Sequence, residues 1–146
     1  MAIIYVLICI ATIYAIATDV IFRRIYNLIP FLIIILSFML CFIYDFHISW
    51  GISSAALAVG FLLFSLNIWG AGDAKFCFAL LLSVPDEMIF YFFFIMSICG
   101  GVIAILMVIF PSLKGKYVTV PYGLAIGIAY LITIMTGILN GQIFFS

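Results

Sequence analysis

The sequence predicts an all-α integral membrane protein of about six transmembrane helices with its N-terminus outside, and three observations carry that expectation. Hydrophobic residues fill 70% of the 146 positions and charged residues only 7%, against about 25% charged in an ordinary soluble domain. Apolar runs recur to the last residues, whereas a secretory leader would be one short run ahead of a polar chain, so the N-terminus reads as a true span. The few charged residues also sort by sign between successive loops. Residues 1–146 read as one polytopic domain in contact with a lipid bilayer.

A helical span needs about 20 apolar residues to cross a hydrocarbon core of roughly 30 Å. The candidates run approximately over 2–19, 28–44, 50–68, 73–84, 88–110 and 118–144. They are separated by Arg23-Arg24, by Asp45-Phe46-His47, by Gly70-Ala71-Gly72, by Pro85-Asp86-Glu87 and by the stretch from Pro111 to Lys116. Trp50 and Trp69 bracket the third, about 28 Å apart if the helix runs unbroken between them, which suits an aromatic belt at each interface. The fourth is short. It must thin the membrane or be shielded from lipid by its neighbours, and a short element of this kind points to function.

Topology follows from the enrichment of Lys and Arg in cytoplasmic loops. With six spans and the N-terminus outside, Arg23, Arg24, Lys75, Lys114 and Lys116 fall inside, while Asp45, Asp86 and Glu87 fall outside. One span more or fewer would scatter the pattern. Asp19 and Asp73 are the exceptions, acids placed at the basic, cytoplasmic boundary. Net charge is zero, so neither a nucleic-acid partner nor a polybasic lipid-binding tail is expected. Cys9, Cys41, Cys77 and Cys99 stand singly in apolar stretches with one histidine, His47. That spacing does not suit a zinc site, and they read as small packing residues. No metal or cofactor is expected.

Carboxylates at membrane depth are costly and mark function by default. Asp19 closes the first span and Asp73 opens the fourth, so the two meet if those helices pack side by side. Structural readings stand beside this one: Asp19 and Arg23 are four apart and could pair at a helix end, and Asp73, after Gly72, could cap the fourth helix. The functional reading is an aspartic peptidase dyad, two carboxyls sharing a proton because like charges in a poorly solvated site cannot both ionise. Gly70-Ala71-Gly72-Asp73 places a stretch without bulky side chains beside the acid, where an extended substrate backbone can approach.

Three segments carry a resemblance: Asp19-Val-Ile-Phe-Arg-Arg-Ile25-Tyr-Asn27, Gly70-Ala-Gly72-Asp73-Ala-Lys75, and Val120-Pro121-Tyr122-Gly123-Leu-Ala125-Ile-Gly127. In order, spacing and span count the chain resembles the prepilin peptidases, or type IV leader peptidases. The resemblance implies a G-x-G-D aspartic peptidase that removes the basic leader of type IV pilin-like precursors at the cytoplasmic face of the cell membrane, with Asp19 and Asp73 catalytic. Its implied partners are a prepilin or pseudopilin substrate and the pilus or secretion assembly machinery. Tyr26 stands where many relatives carry proline. The cytoplasmic cysteine-bearing domain of larger members is missing, so the chain resembles the small members associated with Flp or tight-adherence pili, and no methyltransferase activity is expected.

Around the acids, Asn27, Gly70, Gly72, Lys75, Pro121, Tyr122 and Gly123 are candidates for substrate binding or for shaping the site. Lys75 also reads as a positive-inside anchor pointing away from Asp73, and Asn27 as a cap of the second span. Pro121, Tyr122 and Gly123 shape the start of the sixth span, with the Tyr122 hydroxyl within reach of the site. Gly123 and Gly127 form a G-x-x-x-G helix-packing pattern. His47 lies in an outer loop and reads as solvated. Helix dipoles favour the anion at Asp73, at a helix N-terminus, over Asp19, at a helix C-terminus.

Three other readings compete. A presenilin-like intramembrane protease shares G-x-G-D, but that family carries Tyr-Asp at the first acid where Thr18 precedes Asp19, and its chains are longer. A small proton- or cation-coupled transporter component would place acids nearer the midplane, with broken helices in paired repeats, and no internal repeat is visible. A non-catalytic assembly scaffold leaves the intact acid pair without a purpose.

Overall fold

A computed structural model describes residues 1–66, 68–110, 121–141 and 143. Lys114, Lys116 and Val120, used above for topology and for the third motif, lie outside the described residues. Those described form six α-helices and one 3-10 turn, with no strand: α1 (Ala2–Phe22), α2 (Leu28–Tyr44), α3 (Trp50–Ser65), α4 (Ala71–Leu81), the turn Asp86–Met88, α5 (Ile89–Ile109) and α6 (Tyr122–Leu139). Helices are the expected outcome for such a chain, because in hydrocarbon every backbone N–H and C=O must be satisfied within its own segment. Three segments are long and apolar enough to cross a membrane: α1, the turn with α5, and α6. The apolar helices α2 and α3 are shorter.

The inward face of α1 is legible as a helical stripe, Ile4, Tyr5, Ile8, Ala11, Thr12, Ala15, Thr18 and Asp19. Its outward face carries Ile3, Val6, Ile10, Ile13 and Tyr14, large and exposed, as a lipid-facing surface requires. Helix α1 runs one turn further than the sequence suggests and stops at Arg23, whose backbone is left-handed (φ 54°) and whose N–H returns to the Asp19 carbonyl at 2.9 Å. Asp19 therefore sits inside the last turn of α1 rather than at its end.

The third helix stops short. It ends at Ser65, and the Ile68 N–H closes on the Leu63 carbonyl at 3.0 Å, the six-to-one bond that turns a chain off a helix. Trp69 is therefore not on the helix, and the expected tryptophan ruler across an unbroken third span does not hold. Trp69 belongs instead to the link into α4, where its ring packs on Tyr122 at 6.0 Å between centroids.

Helix α4, about 16 Å long at 1.5 Å per residue, is enclosed by its neighbours. Phe76, Ala79, Leu80 and Leu81 are fully buried, and the helix packs against α2, α3 and α6. Gly60 of α3 makes one of these contacts possible, since a Cβ there would stand 2.7 Å from the Ala74 Cβ. Of the two explanations offered for a short fourth span, shielding by neighbours is the one realised. The remaining packing joins α1 to α2 and α6, and α5 to α6.

At the end away from the acids, the Tyr5 hydroxyl donates to the Ser83 carbonyl at 3.1 Å, and the Ser83 and Tyr130 hydroxyls meet at 2.8 Å. These buried bonds tie α1, the end of α4 and α6 together. At the same end His47 is exposed, as expected, and its Nδ1 lies 3.1 Å from Asp86 Oδ2 of another loop. Among the cysteines, Cys77 is buried in the core while Cys9, Cys41 and Cys99 are partly buried, and all are free thiols.

Candidate active site

Asp19 and Asp73 come together, but not by the route expected. Helices α1 and α4 share no broad face; each packs against α2 and α6, which hold them at one level. The two carboxylates interact electrostatically across the gap. Both line one cleft, and Gly123, at the start of α6, lies against the Asp19 carboxylate.

Each acid is seated at a helix N-terminus. Asp73 Oδ2 accepts the Gly70 N–H at 3.0 Å, three residues back, which is the return half of a capping box on α4. The expectation that Asp73 opens the helix as its N-cap does not hold: α4 begins at Ala71, Gly70 is the N-cap, and Asp73 caps from the third helical position by reaching back, which fixes the carboxylate. Asp19 Oδ2 accepts the Leu124 N–H at 3.2 Å. Helix α6 begins after Pro121, which has no side-chain oxygen to offer, so an acid from α1 caps α6 in trans. This removes the premise that dipoles distinguish the acids. Asp19 lies in the last turn of α1 but also against the positive end of α6, so both carboxylates face N–H donors.

Gly123 must be glycine for a steric reason. A Cβ there would stand 2.7 Å from Asp19 Oδ2 and 2.8 Å from Ile25 Cδ1. Four residues on, a Cβ at Gly127 would stand 2.5 Å from Ile16 Cγ1 and 3.3 Å from Thr12 Cγ2. The G-x-x-x-G pattern is therefore a packing surface against α1, as its type suggests, with its first glycine used by the acid.

The acids open onto a cleft of about 410 Å³, lined by Asp19, by Arg23 to Asn27, and by Gly70, Ala71, Gly72 and Asp73. Asp19 is buried, at 6% exposure, whereas Asp73 is half-buried. Gly72 faces Ile25, with room for a Cβ only at contact distance, 3.4 Å from the Ile25 Cβ. Two carboxylates, a stretch of backbone without bulky side chains and an open volume thus coincide, an arrangement able to place an extended chain beside two groups that can exchange protons.

Of the other candidate residues, Asn27 lines the cleft but makes no side-chain cap on α2; its Oδ1 accepts from Lys75 Nζ at 3.4 Å. Lys75 stands outside the cleft, on the α2 side of α4, pointing away from the acid as its helical position requires. Tyr122 packs on Trp69 with the rings tilted by 44° and faces a neighbouring groove, while Pro121 is buried at the α6 start. Arg23, read from sequence as a partner for Asp19 at the helix end, lines the same cleft as that acid, whereas the Leu124 N–H and the lining by Arg24 and Ile25 were not singled out. No side-chain identity marks a backbone donor.

An all-helical membrane protein with paired carboxylates seated on two helix N-termini, beside a glycine-lined cleft, is the class defined by fold and site. The sequence model of the type IV leader peptidase family matches residues 6–105. The chain belongs to that family, and is a peptidase acting on a protein substrate. The matched range includes both aspartates and the glycine turn, and stops short of Gly123. No curated protein and no solved structure matches the chain.

Proposed function

We propose that the chain is a membrane aspartic endopeptidase that removes the basic leader of type IV pilin-like precursors, with Asp19 and Asp73 activating water. The observation that carries this reading is that two carboxyls from separate helices, each held by a backbone N–H, line one cleft together with the glycine turn. In this mechanism one ionised carboxylate takes a proton from water as its oxygen attacks the scissile carbonyl. The other, protonated carboxyl hydrogen-bonds that carbonyl, and a proton passes to the departing amine. Gly70 and Gly72 let the substrate backbone lie close to Asp73, while Asn27, held by Lys75, offers its remaining amide donors at the rim.

The same reading takes all six helices as spans of the cytoplasmic membrane, with the N-terminus outside and the acids at the cytoplasmic boundary. Arg23, Arg24 and Lys75 lie at the acid end of the bundle, and Asp45, Asp86 and Glu87 at the other, which supports that orientation. Within the family we place the chain with the small Flp or tight-adherence type, working beside pilus assembly machinery and without methyltransferase activity. The test is co-expression with a Flp-type prepilin, following leader removal and N-methylation. Leader removal without methylation is expected, and both Asp19→Asn and Asp73→Asn should abolish it. Full processing by either variant would sink the dyad.

A further inference from the structure

Each acid is tied to the start of a helix, Asp73 to α4 through the Gly70 N–H and Asp19 to α6 through the Leu124 N–H. The separation of the carboxyls therefore follows the separation of those two helix starts. The second residue of each helix is a glycine, Gly72 in α4 and Gly123 in α6. Ile25 lies against both. A Cβ at Gly72 would stand 3.4 Å from the Ile25 Cβ, and a Cβ at Gly123 would stand 2.8 Å from the Ile25 Cδ1, so the two ends of one side chain face the two starts.

We infer that Ile25 is a positioning residue of the peptidase, a spacer that sets the distance between Asp19 and Asp73 by standing against the α4 and α6 starts. The inference rests on the peptidase reading above and adds to it the side chain that holds the pair apart. Ile25 belongs to the irregular segment between α1 and α2, outside both helices whose starts it touches. It is partly buried and packs on the hydrophobic core, which anchors it. Branching at its Cβ restricts the first side-chain torsion, so the spacer is stiff. The glycines complete the arrangement. A side chain at position 123 would enter space that Ile25 Cδ1 and Asp19 Oδ2 already hold, and one at position 72 would press on the Ile25 Cβ. Ile25 also lines the acid cleft, so its wall and the acid spacing are set by the same group. A displacement of about 1 Å in a reacting pair costs about a hundredfold in rate, and one side chain is enough to produce it.

Two truncations and one compensation test this. Ile25→Val removes Cδ1, the end toward Gly123, and keeps the Cβ toward Gly72, whereas Ile25→Ala removes everything past the Cβ. Ile95→Ala, at an isoleucine of α5 that packs on the same core but lines no part of the cleft, is the control. Each variant is reconstituted in vesicles with a Flp-type prepilin, and leader cleavage is followed below the melting temperature of all of them. The kcat should fall by about threefold in Ile25→Val and by about thirtyfold or more in Ile25→Ala, with KM within about twofold of wild type. Ile95→Ala should melt earlier yet keep the wild-type kcat. Gly123→Ala puts a methyl group where Ile25 closes the space, and Ile25→Val vacates that space. The double variant should therefore turn over about fivefold or more faster than Gly123→Ala alone, a gain that general loosening of the fold does not produce.

Wild-type kcat in Ile25→Ala overturns the inference, and so does an equal fall in Ile95→Ala, which is an effect through the fold. A loss confined to KM also overturns it, making Ile25 a wall that substrate touches. A double variant no faster than Gly123→Ala does the same. If Ile25→Ala does not fold, Ile25→Val and the double variant decide alone. Wild type leaving the prepilin uncut overturns the peptidase reading itself; coupling of Ile25→Val with Gly123→Ala in thermal unfolding still reports the contact, which separates the two failures.

Discussion

Asp19 of α1 caps helix α6 through the Leu124 N–H, at 3.2 Å. A carboxylate proposed for chemistry thus also joins two helices distant in sequence, so the same side chain carries stability and activity by different properties. Stability needs an oxygen that accepts a hydrogen bond, whereas catalysis needs a group that takes and gives a proton. Substitutions can separate the two.

Asp19→Asn keeps an acceptor oxygen toward Leu124, and Asp19→Ala removes it. The alanine variant should lose about 1 kcal/mol of stability, the usual worth of an N-cap, and the asparagine variant less. Both should be inactive. Thermal unfolding in detergent beside a leader-cleavage assay checks this, and equal melting of the two variants would remove the trans cap.

Asp73→Glu offers the reverse separation. Glutamate is well suited to the third position of a capping box, so α4 should keep its start, while the added methylene moves the carboxyl by over 1 Å. Cleavage should fall by about a hundredfold with little change in melting temperature.

Gly123→Ala would push a methyl group to 2.7 Å from Asp19 Oδ2. The Asp19 carboxylate must move, because Ile25 closes the other side at 2.8 Å. Cleavage should drop by about ten- to a hundredfold through kcat, and a Gly51→Ala control, where a Cβ meets open space, should retain wild-type rates. Unaltered turnover in Gly123→Ala would mean that Asp19 need not be held where it is.

Gly127→Ala tests packing alone. Its Cβ would meet Ile16 at 2.5 Å and Thr12 at 3.3 Å, and overpacking of this kind costs about 1–3 kcal/mol. Ile16→Ala in the same chain should recover part of the loss, read as a positive coupling in a double-mutant thermal unfolding cycle.

The buried contact of Ser83 with Tyr130, at 2.8 Å, predicts a second cycle. Tyr130→Phe and Ser83→Ala should each destabilise by about 1 kcal/mol, and the double variant by less than their sum, because both remove one bond. Leader cleavage should be unaffected at permissive temperature, since this contact is at the end of the bundle away from the acids.

The sequence by itself determined the helical membrane class, the approximate positions of the six helices, and the two aspartates with their glycine turn. These are legible because burial in lipid allows few backbone structures, and because a charge in such a chain is conspicuous. Local chemistry also pointed to capping at Asp73, but as the N-cap itself, whereas the structure makes Gly70 the N-cap and places Asp73 three residues further on. Only the tertiary structure decided that α3 ends before Trp69, that α1 and α4 meet through α2 and α6, and that Asp19 faces a helix N-terminus. Each depends on a partner remote in sequence: Leu124 is 105 residues from Asp19, and its backbone N–H carries no mark in the side-chain code. The dipole argument from sequence therefore counted α1 and could not count α6. What distinguishes the two acids is decided by the helices that close around them.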